Sequence, residues 1–359
     1  GRGCSTPIVV DGRIIVTGAA GEMDGVLCFD TGGKEQWRHT FGKGRGAQHR
    51  SAGSGSNPSP VSDGKCVYVY YKSGTLAALT LEGKLKWERN LQEELGENTL
   101  KWDLGTSPVL AGGHLVVAVM QTNGKSFLLA LDPATGKQVW KTKRDLGAAA
   151  ESGDGYSTPL VRTIDGVESI LTWGADYLTG HDAKSGKALW VCGGFNDERK
   201  PKLRTIASPT ETAGMVLVPA SRGHFVAGVP LGRDKIAWKF AAGPDSATPV
   251  AWKDRFLVLS DRGPKRGTIH CLSAKDGKVL WEHTFPRAAS IYYSSPLLVG
   301  DTLYCARADG AVFVGQVGEK GLEKVTENRL EDTLVASPVV VDGKLLLRGH
   351  GSLYCFGEE

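Results

Sequence analysis

The sequence predicts an all-β fold, an eight-bladed β-propeller of four-stranded antiparallel blades, and three observations carry that prediction. A phrase of Ser or Thr, Pro, an apolar run, a Gly turn, a second apolar run, then Gly-Lys and Trp recurs along the 359 residues. Its prolines are Pro7, Pro60, Pro108, Pro159, Pro209, Pro249, Pro296 and Pro338, eight copies at intervals of 40 to 53 residues. Six copies close on a tryptophan: Trp37, Trp87, Trp140, Trp190, Trp238 and Trp281. Units of this length, each holding several short strands, are the mark of a radial β-repeat whose neighbours bury a common core. Residues 1–359 therefore read as a single domain, although length alone would allow two or three.

The second copy shows how one unit becomes four strands. Ser59-Pro60-Val61 opens a short strand, and Asp63-Gly64 suits a tight hairpin. Cys66 to Tyr70 is a β-branched and aromatic run, which favours a strand. Ser73-Gly74 turns the chain into Leu76-Ala77-Ala78-Leu79, and Glu82-Gly83-Lys84 turns it again into the outer strand Leu85-Lys86-Trp87. The same third turn recurs as Thr135-Gly136-Lys137, Ser185-Gly186-Lys187 and Asp276-Gly277-Lys278. The Trp of each outer strand is read as packing between neighbouring blades. Two copies depart from the plan. The seventh has no outer-strand Trp, and the eighth stops after its third strand, at Tyr354-Cys355-Phe356. The last blade thus lacks its outer strand within this chain. An open edge invites aggregation, so the expectation is that residues preceding Gly1 in the natural protein supply it.

Composition narrows the function classes. The 41% hydrophobic content is ample for a core, and no apolar stretch reaches the length of a membrane span. The net charge of +4 is small and scattered, which argues against a nucleic-acid partner. Lys34, Lys84, Lys137, Lys187 and Lys278 each follow a turn glycine and read as solvated decoration. Seven cysteines, an odd number without framework spacing, do not form a disulfide scaffold. Cys28, Cys271 and Cys355 share one repeated slot that holds Ala78, Ala130, Gly180 and Gly228 in other copies. A small, buried residue is expected there. Cys66 and Cys305 fall on second strands and are expected in the core.

Phrases such as Ser107-Pro108-Val109-Leu110, Leu129-Ala130-Leu131-Asp132 and Thr135-Gly136-Lys137-Gln138-Val139-Trp140 resemble the pyrroloquinoline-quinone-type (PQQ-like) propeller repeat family along essentially the whole chain. The resemblance is specific for fold. For activity it implies two roles, because the family holds both quinone-dependent dehydrogenases and a non-catalytic lipoprotein scaffold of the outer-membrane β-barrel assembly machinery. Secreted bacterial propellers of this type are also similar. Fold alone does not choose between these roles.

In such propellers the resemblance places the funnel between inner strands and the loops that join one blade to the next. Those inter-blade loops are where this chain stops repeating itself. The first carries Gly42-Lys43-Gly44-Arg45-Gly46 and then His49 and Arg50, and its Arg45 and Arg50 are able to clamp a carboxylate, sulfate or phosphate. Others carry Trp102, Asp103, Asp154, Tyr156, Arg204, Asp245 and Tyr292. Such a mixture of Arg, carboxylate and aromatic groups suits a polar small-molecule site. A quinone site asks more: Trp102 to stack, Arg45, Arg50 or Arg204 to pair with carboxylates, Asp103 or Asp154 as base, and a bound calcium ion. The chain has no adjacent Cys pair, no Asp-rich calcium loop and no haem attachment motif. Its eight histidines lack metal-ligand spacing, and neither a Gly-x-Ser-x-Gly elbow nor a Walker loop is present.

The chain is therefore expected to be a non-catalytic, extracytoplasmic binding or scaffold propeller. It would act as a monomer without cofactor or metal, on a protein partner or a small polar ligand. A PQQ-dependent oxidoreductase with calcium is the rival from another class. A carbohydrate-active or polar-ligand enzyme in the funnel is the third reading.

Overall fold

Each copy folds on itself before it meets its neighbour, and the ring follows from that. The structure is a computed structural model and describes residues 2–49 and 52–357. In the first copy Ile8–Val10, Arg13–Ala20, Met23–Asp30 and Glu35–Lys43 pair antiparallel in chain order. The same four-stranded meander recurs over 61–90, 109–143, 160–192, 210–240, 250–284 and 297–329, which we number blades 2 to 7. Blade 8 has three strands, Val339–Val341, Lys344–Arg348 and Leu353–Phe356. The eight-bladed all-β expectation, with its incomplete last blade, is met. Among the described residues no helix is long and apolar enough to cross a membrane.

The Ser/Thr-Pro phrase has a structural cause that its recurrence alone did not reveal. Thr6 donates its backbone N–H to the Ser59 hydroxyl, Ser59 to Ser107, Ser107 to Thr158, and Thr158 to Ser208. Ser208 continues to Thr248, Thr248 to Ser295, Ser295 to Ser337, and Ser337 back to Thr6. Donor–acceptor distances run from 2.9 to 3.2 Å around this closed ring. The following proline keeps each Ser or Thr extended, which aims both its N–H and its hydroxyl at neighbouring blades. At the closing seam Arg348, buried in blade 8, also donates to the Ser5 carbonyl at 2.9 Å and the Thr17 carbonyl at 2.6 Å.

The outer-strand tryptophans are the second seam, as the sequence implied. Trp37, Trp87, Trp140 and Trp238 each cover the turn glycine of the next blade, Gly83, Gly136, Gly186 and Gly277. A Cβ on those glycines would fall 2.4–2.7 Å from an indole carbon, and their φ values of 68–80° also favour glycine. The four indole N–H groups donate to carbonyls of the same turns, at Leu81, Pro133, Ala183 and Ala274. Trp190 and Trp281 precede blades whose third turns lack the Gly-Lys phrase, and their buried indole N–H groups have no partner.

The small-residue slot lies directly across from these tryptophans. Cys28 pairs with Trp37, Ala78 with Trp87, Ala130 with Trp140, Gly180 with Trp190, Gly228 with Trp238 and Cys271 with Trp281. An indole folded onto its cross-strand neighbour leaves room for a thiol or less: a Cβ on Gly180 or Gly228 would sit 2.1–2.3 Å from the ring. Cys28 and Cys271 are fully buried, and Cys66 and Cys305 are core residues. Cys355 corrects the expectation for its slot. It is exposed, because no fourth strand covers it among the described residues. All seven cysteines are free thiols.

Candidate functional site

In a sequential antiparallel meander the inter-blade loops and the turns between second and third strands fall on the same face. Two sets of side chains therefore meet at one mouth, and only one set was read from the sequence. Aspartates hold this face together. Asp103 accepts the backbone N–H groups of Gln48 at 2.8 Å and His49 at 2.9 Å, and the Lys72 ammonium at 2.6 Å. Asp154 accepts from Lys101 N–H at 3.1 Å and Thr122 N–H at 2.8 Å. Asp261 takes the N–H groups of Asp245, Ser246 and Ala247 at 2.6–3.0 Å. Asp332 gathers the N–H groups of Thr333, His350, Gly351 and Ser352. Each carboxylate satisfies loop donors that regular pairing leaves open, and each fixes a loop to a chain segment remote in sequence.

Within this rim lies a funnel cavity of about 380 Å³. Of the residues singled out in the sequence, His49, Trp102, Asp103, Tyr156, Arg204, Asp245 and Tyr292 line it. Asp154 stands behind the wall, and Arg45 is exposed outside it. Arg50 lies outside the described residues. Trp102 is held by its own N–H on the Tyr156 hydroxyl at 3.1 Å and by its indole N–H on Glu151 at 3.2 Å. Its ring lies 6.0 Å from that of His49, which in turn lies 5.9 Å from Tyr293. Burial raises the phenol pKa of Tyr156 and pushes that of Tyr292 up to about 12.

The opposite wall is ionic. Arg204 donates to Asp245 Oδ2 at 3.2 Å, and Arg262 donates to the same oxygen. Burial pushes the Asp261 carboxyl up to about 6, a shift that the nearby Asp245 charge reinforces and three backbone N–H bonds oppose. Arg222 joins this wall from the second-to-third-strand turn of blade 5. Gly223 beside it permits the approach: a Cβ there would meet the Gly243 carbonyl at 2.8 Å. Arg222, Asp261 and Arg262 were missed because only inter-blade loops were considered. The signal was available in Ser221-Arg222-Gly223 and Asp261-Arg262-Gly263, charged turns that the meander must place on this face.

Asp103 and Asp154, the sequence candidates for a base, are engaged by the donors just described. On the ionic wall Arg204 and Arg262 already meet the Asp245 carboxylate, and Asp261 is held by backbone N–H groups. Among the described residues no group of three His, Cys, Asp or Glu side chains is placed to hold a metal ion. One hydrolase-like chain exists elsewhere: Ser260 Oγ lies 3.1 Å from His270 Nε2, and His270 Nδ1 lies 2.7 Å from Glu282. Ser260 is 2% exposed, inside blade 6, and burial holds His270 below its usual pKa. A substrate has no route to that hydroxyl.

Comparison with known proteins agrees with this architecture. The structure of BamB from Moraxella catarrhalis superposes with a TM-score of 0.67 at 15% identity, covering 98% of this chain and 92% of that one. A quinohemoprotein alcohol dehydrogenase from Comamonas testosteroni superposes at 0.72 with 14% identity, covering 97% of this chain and 70% of the enzyme. Both likenesses concern fold. In sequence, the chain is 24% identical over 355 residues to the outer membrane protein assembly factor BamB of Burkholderia pseudomallei (strain K96243), covering 87% of this chain and 84% of the relative. It is 26% identical over 271 residues to the BamB of Moranella endobia (strain PCIT), covering 73% of this chain and 62% of that relative's length. A family model matches residues 1–119, 93–235 and 226–352, and the chain belongs to that family, described as outer membrane protein assembly factor BamB.

Proposed function

We propose that this chain is an extracytoplasmic scaffold that serves outer-membrane protein assembly through its loop face. One observation carries the reading: the unrepeated inter-blade loops are pinned to one another or to neighbouring strand turns by Asp103, Asp154, Asp261 and Asp332, giving a preformed surface. Preformed surfaces bind with little ordering cost. The names of the relatives support the process, outer-membrane protein assembly, and an extracytoplasmic location is our reading from that process. The test is a deletion in the native host with quantification of folded outer-membrane proteins, and rescue by the wild-type gene. A fall in those proteins that the gene restores is expected. Unchanged levels would overturn the assembly role.

The dehydrogenase likeness keeps a quinone-dependent oxidoreductase as the second reading. Calorimetric titration with PQQ and calcium separates the two. No heat is expected, and saturable binding lost in Trp102→Ala and Arg204→Ala would favour the oxidoreductase.

A further inference from the structure

We propose that the Arg204–Arg222–Arg262 wall of the funnel is a binding site for a small monocarboxylate with an aromatic or other apolar body. The proposal stands whether or not the chain acts in membrane-protein assembly. Three guanidinium groups gather where two blades and an inter-blade loop meet. Arg204 and Arg262 converge on one oxygen of Asp245, whose side chain is 4% exposed. Arg204 is itself nine-tenths buried, and its Nη1 has no hydrogen-bond partner. A buried guanidinium with an unmet donor is a cost that an anionic ligand, with a small readjustment of the wall, would relieve.

Arg222 is the residue that turns this cluster toward a ligand. It has no carboxylate within ion-pair distance among the described residues, and its side chain makes one long bond, 3.5 Å to the Lys202 carbonyl. It sits at φ 58°, ψ 41°, a left-handed conformation uncommon for a long side chain and frequent at functional sites. Burial holds its pKa down, and the nearby Arg204 and Arg262 charges add to that while Asp245 and Glu151 oppose it.

Charge and lining set the ligand class. Three arginines face the carboxylates Asp245 and Asp261; Asp103, elsewhere on the lining, is met by Lys72 at 2.6 Å, and Glu151, 3.9 Å from Arg204, is met by Lys101 at 3.0 Å. The excess is one positive charge, the complement of a monoanion. A planar carboxylate matches a guanidinium in two parallel bonds. Beyond the arginine wall the lining includes the apolar and aromatic side chains of Trp102, Tyr292, Tyr293, Ile206 and Ile291, alongside the polar His49, Asn57 and Asp103. Its volume of about 380 Å³ suits a small molecule.

The experiment is calorimetry at pH 8.5 with phenylacetate, its neutral counterpart phenylacetamide, and phenylphosphonate, which is a dianion at that pH. Phenylacetate should bind saturably and the amide should not. Arg222→Gly accepts the left-handed backbone without strain, so it should melt like the wild type while binding weakens at least about tenfold. Arg262→Gln should weaken binding in the same direction. Equal phenylacetate affinity in wild type and Arg222→Gly, binding of the amide, or absence of heat would each overturn the site. Tighter binding of the phosphonate would overturn the monoanion assignment.

Discussion

On the face that carries the third turns, Trp37, Trp87, Trp140 and Trp238 repeat one contact with the next blade. On the opposite face Asp103, Asp154, Asp261 and Asp332 each make a different one. The first contact needs only a Trp, a turn glycine one repeat later and a carbonyl beside it, so it can be copied with the repeat. The second needs donors from loops of different lengths, and each aspartate finds its own. Packing is therefore periodic along this chain, and the surface available for recognition is aperiodic.

The comparison can be broken first at Arg144, which stands at the loop face between blades 3 and 4. It is 1% exposed and donates to the Thr172, Gly174 and Tyr177 carbonyls at 2.9–3.1 Å, with no carboxylate in ion-pair distance among the described residues. Burial holds its pKa down to about 9. Arg144→Ala strands those carbonyls and opens a void, so a loss of about 3–5 kcal/mol is expected in urea unfolding. A loss below about 1 kcal/mol would mean the unrepeated bonds are dispensable.

A pH profile tests the aspartate pins. Burial pushes the Asp261 carboxyl from its ordinary 3.8 up to about 6, so the folded state holds its proton more tightly. Stability from this group is full below about pH 4 and is lost as pH rises through about 6, on the order of 1–3 kcal/mol. Asp24 and Asp176, also raised to about 6 by burial, act in the same direction. Thermal melting from pH 4 to 7 should show a flatter profile in Asp261→Asn than in the wild type. Parallel profiles would show that Asp261 does not titrate in this range.

The tryptophan seam predicts a smaller, paired effect. Trp87→Phe loses a 2.9 Å bond to the Pro133 carbonyl, whereas Trp281→Phe loses an N–H that has no partner. The first should cost about 1 kcal/mol more than the second in matched denaturant curves. Equal costs would reduce the seam to packing alone. The smallest effect is expected at Cys355, where Cys355→Ser should change stability by less than about 0.5 kcal/mol. A thiol reagent should label exposed Cys355 in the native protein and spare Cys28 and Cys271. Protection of Cys355 would show that something covers the edge of blade 8.

The sequence by itself determined the ring. Eight Ser/Thr-Pro phrases, the turn glycines and the outer-strand tryptophans are local choices repeated at one spacing, and local choices are legible one residue at a time. It also singled out Trp102, Tyr156, Arg204, Asp245 and Tyr292, which line the funnel cavity, because loss of repetition marks where packing no longer dictates identity. The tertiary structure alone decided what those loops do. Asp103 could be read as a base until Gln48, His49 and Lys72 were seen to occupy it. Arg222 and Arg262 became part of the funnel only when the meander carried their turns to the face where Asp245 waits. Pairings between residues that lie 17 to 55 positions apart depend on loop geometry, and no periodicity records it.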